Sequence, residues 1–156
     1  KGKIYPLEKM EQTIEQLIKA YPSCRIFFFG GGGKERETLD SWAKRYANCT
    51  NASAVLGGMR NELILMSHLD VMISMDSGNM HLASLVGTKV VSIWGATHPY
   101  AGFMGWNQSE ENAVQLDMAC RPCSVYGNKP CLRGDYACMN DIRPEMIVAK
   151  IKQLFN

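Results

Sequence analysis

From Val71 to Val86 the chain reads as buried strand, tight polar turn and helix, and few folds accept that order. Val71-Met72-Ile73-Ser74-Met75 is an apolar run of strand length. Asp76-Ser77-Gly78-Asn79 supplies turn formers, and Met80 to Val86 returns apolar residues at helical spacing. Such a turn leaves the first backbone N–H groups of the helix without intrahelical partners and aims the positive helix end outward. Phosphate is a common occupant of that position. His81 falls about one turn into the helix, where it can share the same ligand. A second reading needs no ligand, because Asp and Ser are also good N-caps and a capped turn is complete in itself.

The rest of the chain repeats the alternation. A helix is expected to start at Pro6, with Leu7, Met10, Ile14, Leu17, Ile18 and Tyr21 at helical spacing. Ile26 to Phe29 reads as an apolar strand, followed by four glycines and a second helix from Lys34 to Ala47. Ser53 to Leu56 reads as a weak strand, Asn61 to Ser67 as a short helix, and Lys89 to Ile93 as a further strand. Strands apolar on both faces that alternate with helices imply an α/β fold, a Rossmann-like parallel sheet with helices on both faces. After Trp94 the pattern dissolves into a long Gly-, Pro- and Cys-rich stretch, cysteine-rich from about residue 118 to 140. A loop that long inside a compact domain needs a function or a staple. A closing helix is expected over Pro144 to Phe155.

At 156 residues one domain covers the chain, with core enough to fold. A formal net charge of +2 supplies no strong basic field, which argues against nucleic acid as a partner. No apolar run approaches the ~20 residues of a membrane helix. Lys1-Gly2-Lys3 does not resemble a natural start, so a fragment of a longer protein is expected.

Gly30-Gly31-Gly32-Gly33-Lys34-Glu35 fits neither common phosphate fingerprint. Glu35 stands where a dinucleotide fold needs its third glycine. A P-loop needs Ser or Thr after the lysine and a glycine at Phe28. What remains is a glycine loop after a strand with a carboxylate in the next helical turn. A carboxylate there suits ribose hydroxyls, and it equally suits the positive helix end with no ligand. Trp94-Gly95-Ala96-Thr97-His98 ends the neighbouring strand, so Thr97 and His98 can donate to a ligand on the same edge. Lys3, ahead of the first helix, can reach phosphates as a counter-charge, or can simply be solvated. Cys120, Cys123, Cys131 and Cys138 allow three readings: a tetrahedral structural zinc, two disulfides, or free thiols.

Taken together, Lys3-x-Tyr5-Pro6, Gly30 to Glu35, Asp76-Ser77-Gly78-Asn79-Met80-His81-Leu82-Ala83, Gly87-Thr88-Lys89-Val90-Val91 and Trp94-Gly95-Ala96-Thr97 resemble glycosyltransferase family nine, the heptosyltransferases of lipopolysaccharide core synthesis. The Cys-x-Pro-Cys element is similar to one found in many members. The family usually carries Trp where Tyr5 stands, and its better-known members lack the cysteine-rich tail. The resemblance covers nearly the whole chain and corresponds to the C-terminal half of a two-domain GT-B enzyme.

That resemblance implies an inverting transfer of a sugar from a nucleotide diphosphate, ADP-heptose above all, to a lipid-linked saccharide acceptor. It places Lys3 on the diphosphate, Glu35 on the ribose and Met59 against the nucleobase. Asp76, Ser77, Gly78 and His81 would surround the phosphates and donor sugar. No Asp-x-Asp metal motif occurs in the chain, so no catalytic cofactor is expected, and structural zinc is the one metal in prospect. The acceptor's base is expected in a preceding domain, and the setting in the bacterial cytoplasm, peripheral to the inner membrane. Two other functions fit the same residues: a GT-B-type enzyme with a UDP donor, and a non-catalytic, zinc-stapled interaction module.

Overall fold

The computed structural model describes residues 2–155. Helix α1 runs Leu7–Ala20, one residue later than expected, with Pro6 in the N-cap position. Strand β1 (Ile26–Phe28) leads through the glycine loop into α2 (Lys34–Arg45). Strand β2 is Cys49–Asn51 and is followed by a short helix, α3 (Ala52–Val55). The expected strand over 53–56 is therefore displaced. Cys49, Thr50 and Asn51 pair with β1, and the Asn51 side chain accepts from Ala54 N–H and turns the chain helical. Then follow α4 (Met59–Met66), β3 (Met72–Met75), α5 (Gly78–Leu85) and β4 (Val90–Ile93).

The stretch after Trp94 is not structureless. It holds two short 3₁₀ turns, a two-residue strand β5 (Ala113–Val114) and a short helix α6 (Ala137–Asn140) before the closing helix α7 (Pro144–Phe155). Every strand pair is parallel, in two hydrogen-bonded sets: β1 with β2, and β3 with β4 with β5. One apolar cluster bridges the sets, since Ile26 of β1 and Ile73 and Met75 of β3 pack on the same buried group.

β4 shows why these strands read as apolar runs. Val91 and Ile93 face α1 and α7, in a cluster with Leu17, Ile147 and Ile151. Val90 and the following Trp94 face α4 and α5, in a cluster with Met66, Met80 and Ala83. Both faces of the strand are covered, as a parallel sheet requires. Burying each such side chain contributes about 1.5–3 kcal/mol of transfer free energy. Trp42 of α2 closes the third cluster edge-on against Phe28 of β1, 5.7 Å between ring centroids. Among the described residues no helix is long and apolar enough to cross a membrane.

Candidate functional site

The C-terminal ends of β1, β3 and β4 form one edge, and four segments meet there. The first is the β3–α5 turn. Ser77 occupies the N-cap position of α5 in extended conformation, yet its side chain makes no capping bond. Its hydroxyl lies 3.0 Å from the Ser74 hydroxyl instead, and Ser74 donates to the Met75 carbonyl. The self-capped reading of this turn is not the one formed, and the first N–H groups of α5 remain open to a ligand. Asn79 donates from Nδ2 to the Phe29 carbonyl at 3.2 Å, which ties the end of β1 to α5. His81 sits half-buried on α5, with no side-chain hydrogen bond among the described residues.

The second segment is the start of the chain. Lys3 Nζ lies 2.9 Å from Asp76 Oδ2, with the carboxylate 5% exposed and the lysine 33%. That oxygen makes no well-directed hydrogen bond, so the contact is an ion pair. Tyr5 anchors the segment from the other end. It is 2% exposed, its N–H donates to Met75 Sδ at 3.1 Å, and its hydroxyl donates to the Ile142 carbonyl at 3.1 Å. Burial pushes the Tyr5 phenol up to about 12. A charge pair next to the positive helix end leaves the turn with a net attraction for anions, because the lysine offsets the aspartate and the helix end is uncapped.

The third segment is the glycine loop. Glu35 folds back from the first turn of α2, and its Oε2 accepts from Gly31 N–H at 2.8 Å. Gly30 N–H donates to Ser53 Oγ at 3.1 Å. Glu35 is exposed, and its second oxygen takes no partner among the described residues. The fourth segment, Gly95 to His98, is packed from above by the cysteine-rich loop. Thr97 is 0% exposed, and its hydroxyl has no partner among the described residues. It therefore faces into the fold rather than toward solvent. His98 Nδ1 accepts from Tyr100 N–H at 3.1 Å and caps a 3₁₀ turn, so it does not face the Asp76 turn with that nitrogen.

Among the described residues no group of three or more His, Cys, Asp or Glu is placed to hold a metal, and all six cysteines are unpaired thiols. Arg121 ties the cysteine-rich loop to the turn after β4. Its guanidinium donates to the Gly95, Thr97 and Leu116 carbonyls and to Gln115 Oε1, and burial lowers its pKa. Cys123 and Ser124 N–H groups also donate to the Ala96 carbonyl, at 3.2 and 3.4 Å. The thiols differ in character: backbone hydrogen bonding near Tyr136 lowers the Cys131 pKa, and burial raises that of Cys138. Met59 heads α4, 61% exposed, over an open groove with Arg60, Leu63, Ile64, Ser67 and Val86. A second hollow runs past Ser84, Gly87, Lys89 and Trp106. Neither concavity includes Lys3, Asp76, Ser77 or His81, whose edge is open.

Sequence patterns missed Arg121 and the packing of the cysteine-rich loop on Gly95 to Thr97. The signal available was a lone arginine between two cysteines, which the metal spacing overshadowed.

A family model described as glycosyltransferase family 9 (heptosyltransferase) matches residues 1–131. The lipooligosaccharide heptosyltransferase 2 of Campylobacter jejuni is 29% identical over 139 residues, 85% of this chain and 42% of that protein. Among solved structures, the E. coli ADP-heptose LPS heptosyltransferase II has a TM-score of 0.71 at 18% identity, covering 98% of this chain and 42% of that one. E. coli heptosyltransferase WaaC with ADP has a TM-score of 0.67 at 20% identity, covering 98% and 40%. The chain thus spans about two fifths of the length of the relatives it matches.

Proposed function

The chain belongs to glycosyltransferase family 9, the heptosyltransferase family, and from that premise we propose that it is the donor-nucleotide half of an inverting heptosyltransferase of lipopolysaccharide synthesis. The donor is ADP-heptose and the acceptor a lipid-linked saccharide. The observation that carries the reading is the uncapped N-terminus of α5 beside the Lys3–Asp76 pair. ADP in the WaaC structure names the nucleotide to try first.

In the transfer, the bond between the sugar's anomeric carbon and the diphosphate oxygen breaks, and its electron pair stays on the diphosphate. An acceptor hydroxyl bonds the same carbon from the opposite face, and its proton passes to a base. Charge develops on the diphosphate, so fixed donors and cations aimed there lower the barrier. Lys3, His81 and the open N–H groups of Gly78 and Asn79 take that role. Glu35, with one oxygen unengaged, takes the ribose. The base belongs to the part of the relatives that this chain does not match.

The test is calorimetric titration with ADP, UDP and GDP in the absence of divalent metal, for the chain and for His81→Ala. Selective ADP binding that His81→Ala weakens is the expected result. UDP preference replaces the donor, and no binding of any of the three removes the reading.

A further inference from the structure

The geometry points to Gly127 as a positioning residue for Lys3, so that the cysteine-rich loop sets the aim of the diphosphate-binding cation. Lysine has considerable rotamer entropy to lose when it is held in one geometry. Lys3 is one-third exposed, and among the described residues its Nζ meets one partner, Asp76. Something else must restrict the stem. Gly127 lies flat against it: a Cβ built there would overlap Lys3 Cγ and Cδ, and would touch Thr97 Cγ2 at 3.5 Å. Gly127 also has φ +70°, in the region that favours glycine.

The wall that Gly127 forms is itself fixed. Ser124 Oγ donates to Asn128 Oδ1 at 3.2 Å and closes residues 124–128 around Gly127. The loop is bonded to the 95–97 turn through Arg121, Cys123 and Ser124. That turn in turn holds the start of the chain, because Ala96 N–H donates to the Gly2 carbonyl at 2.9 Å. A Cβ on Gly2 would overlap Ala96 Cβ, and one on Gly95 would meet the Gly2 carbonyl at 2.5 Å. Three glycines thus let the Lys3 segment, the turn after β4 and the cysteine-rich loop stack without side chains between them. Gly134 provides an internal control. It lies in the same loop with φ +80°, and nothing stands within 4 Å of its Cβ direction. It needs glycine for its backbone alone, whereas Gly127 needs glycine for backbone and for Lys3.

The inference rests on the donor reading for its purpose, but its geometry is testable without nucleotide. Gly127→Asn and Gly134→Asn are compared, since asparagine accepts positive φ and backbone strain is small in both. Gly127→Ala and Gly134→Ala form a second pair should either asparagine variant fold poorly. The first readout is the rate at which an N-hydroxysuccinimide ester acylates Lys3, followed by peptide mass spectrometry. Gly127→Asn is expected to raise that rate several-fold, and Gly134→Asn to leave it unchanged. The second readout is ADP titration. Gly127→Asn is expected to weaken ADP about tenfold, as for loss of one charge-assisted contact, and to add nothing in a Lys3→Ala background. Equal acylation rates in the two asparagine variants overturn the inference. If the unmodified chain binds no ADP, the donor reading falls while the acylation contrast still decides the role of Gly127.

Discussion

The turn after β1 and the turn after β3 both carry the chain from a strand end into a helix start, on the same edge, with different construction. The glycine loop is held by carried-in acceptors: Glu35 of α2 takes Gly31 N–H, and Ser53 of α3 takes Gly30 N–H. Neither turn caps its helix with a side chain, since Gly33 and Ser77 make no capping bond. Ser77 is drawn away by Ser74, and the charge that answers Asp76 arrives from the start of the chain. A loop tied back by Glu35 and, from α3, by Ser53 sets a carboxylate beside an equally uncapped helix start. A turn completed by a distant lysine keeps open N–H groups and a cation beside them, which suits an anion. The difference teaches where anion-binding capacity resides: in the uncapped helix start that has a lysine held beside it.

The largest effect that would break the comparison is removal of the distant partner. Lys3→Ala leaves a carboxylate at 5% exposure without its cation. A fully buried pair costs ~3–5 kcal/mol to break this way, and the one-third exposure of Lys3 reduces that to about 2 kcal/mol here. Chemical denaturation should show this loss, and Asp76→Asn in the same chain should restore most of it. ADP binding should not be restored by the second change. Recovery of both together would mean that Lys3 acts on stability alone.

Alkaline pH weakens the same turn through Tyr5. Its phenol has an ordinary value of 10.0 and is pushed up to about 12 by burial. Below pH 10 the phenol is neutral folded and unfolded, and its contribution is fully present. Between 10 and 12 only the unfolded chain ionises, so stability falls with rising pH. Tyr5→Phe should flatten that part of the stability profile. It should also cost about 1 kcal/mol at neutral pH for the lost bond to Ile142. Amide exchange at Gly31, in the glycine loop, should not follow the Tyr5 change. Equal response at both turns would show that they unfold as one unit.

The two turns also differed in how far the sequence disclosed them. β3, its polar turn and α5 were legible because burial on both faces writes a run from Met72 to Met75 that is apolar but for Ser74, followed by helical spacing. β2 was misplaced because Cys49-Thr50-Asn51 has no such run, and its strand character comes from pairing with β1. β5 is two residues long, too short for any periodicity. Lys3 was legible as a candidate counter-charge, but its ion pair with Asp76 was not, since it joins distant parts of the chain. The cysteine spacing suggested a metal staple, and the half-buried Arg121, which ties the loop to backbone carbonyls, leaves no spacing in sequence. The absence of a cap on Ser77 was equally invisible, because the residue type is right and only the competing hydroxyl of Ser74 draws it away.

A smaller effect sharpens the contrast from the side of the glycine loop. Glu35→Gln keeps an acceptor for Gly31 N–H, so stability should change by no more than about 0.5 kcal/mol. If Glu35 also holds ribose, ADP affinity should fall about tenfold, and 2′,3′-dideoxy-ADP should bind both forms alike. Unchanged ADP affinity would leave Glu35 as the closure of its own loop and nothing more.

The smallest effect is the most pointed. Replacing a working Ser N-cap by Ala costs about 1 kcal/mol. Ser77 makes no such bond, so Ser77→Ala should cost about half of that or less, the loss of one exchange between hydroxyls. Ser109 serves as the reference, because its hydroxyl accepts from Glu111 N–H at 3.2 Å and caps a 3₁₀ turn. Urea denaturation of Ser77→Ala and Ser109→Ala should therefore rank the residue at the helix start below the one at the lesser turn. The reverse ranking would mean that Ser77 caps α5 in solution, and the open helix end on which the donor site depends would be closed.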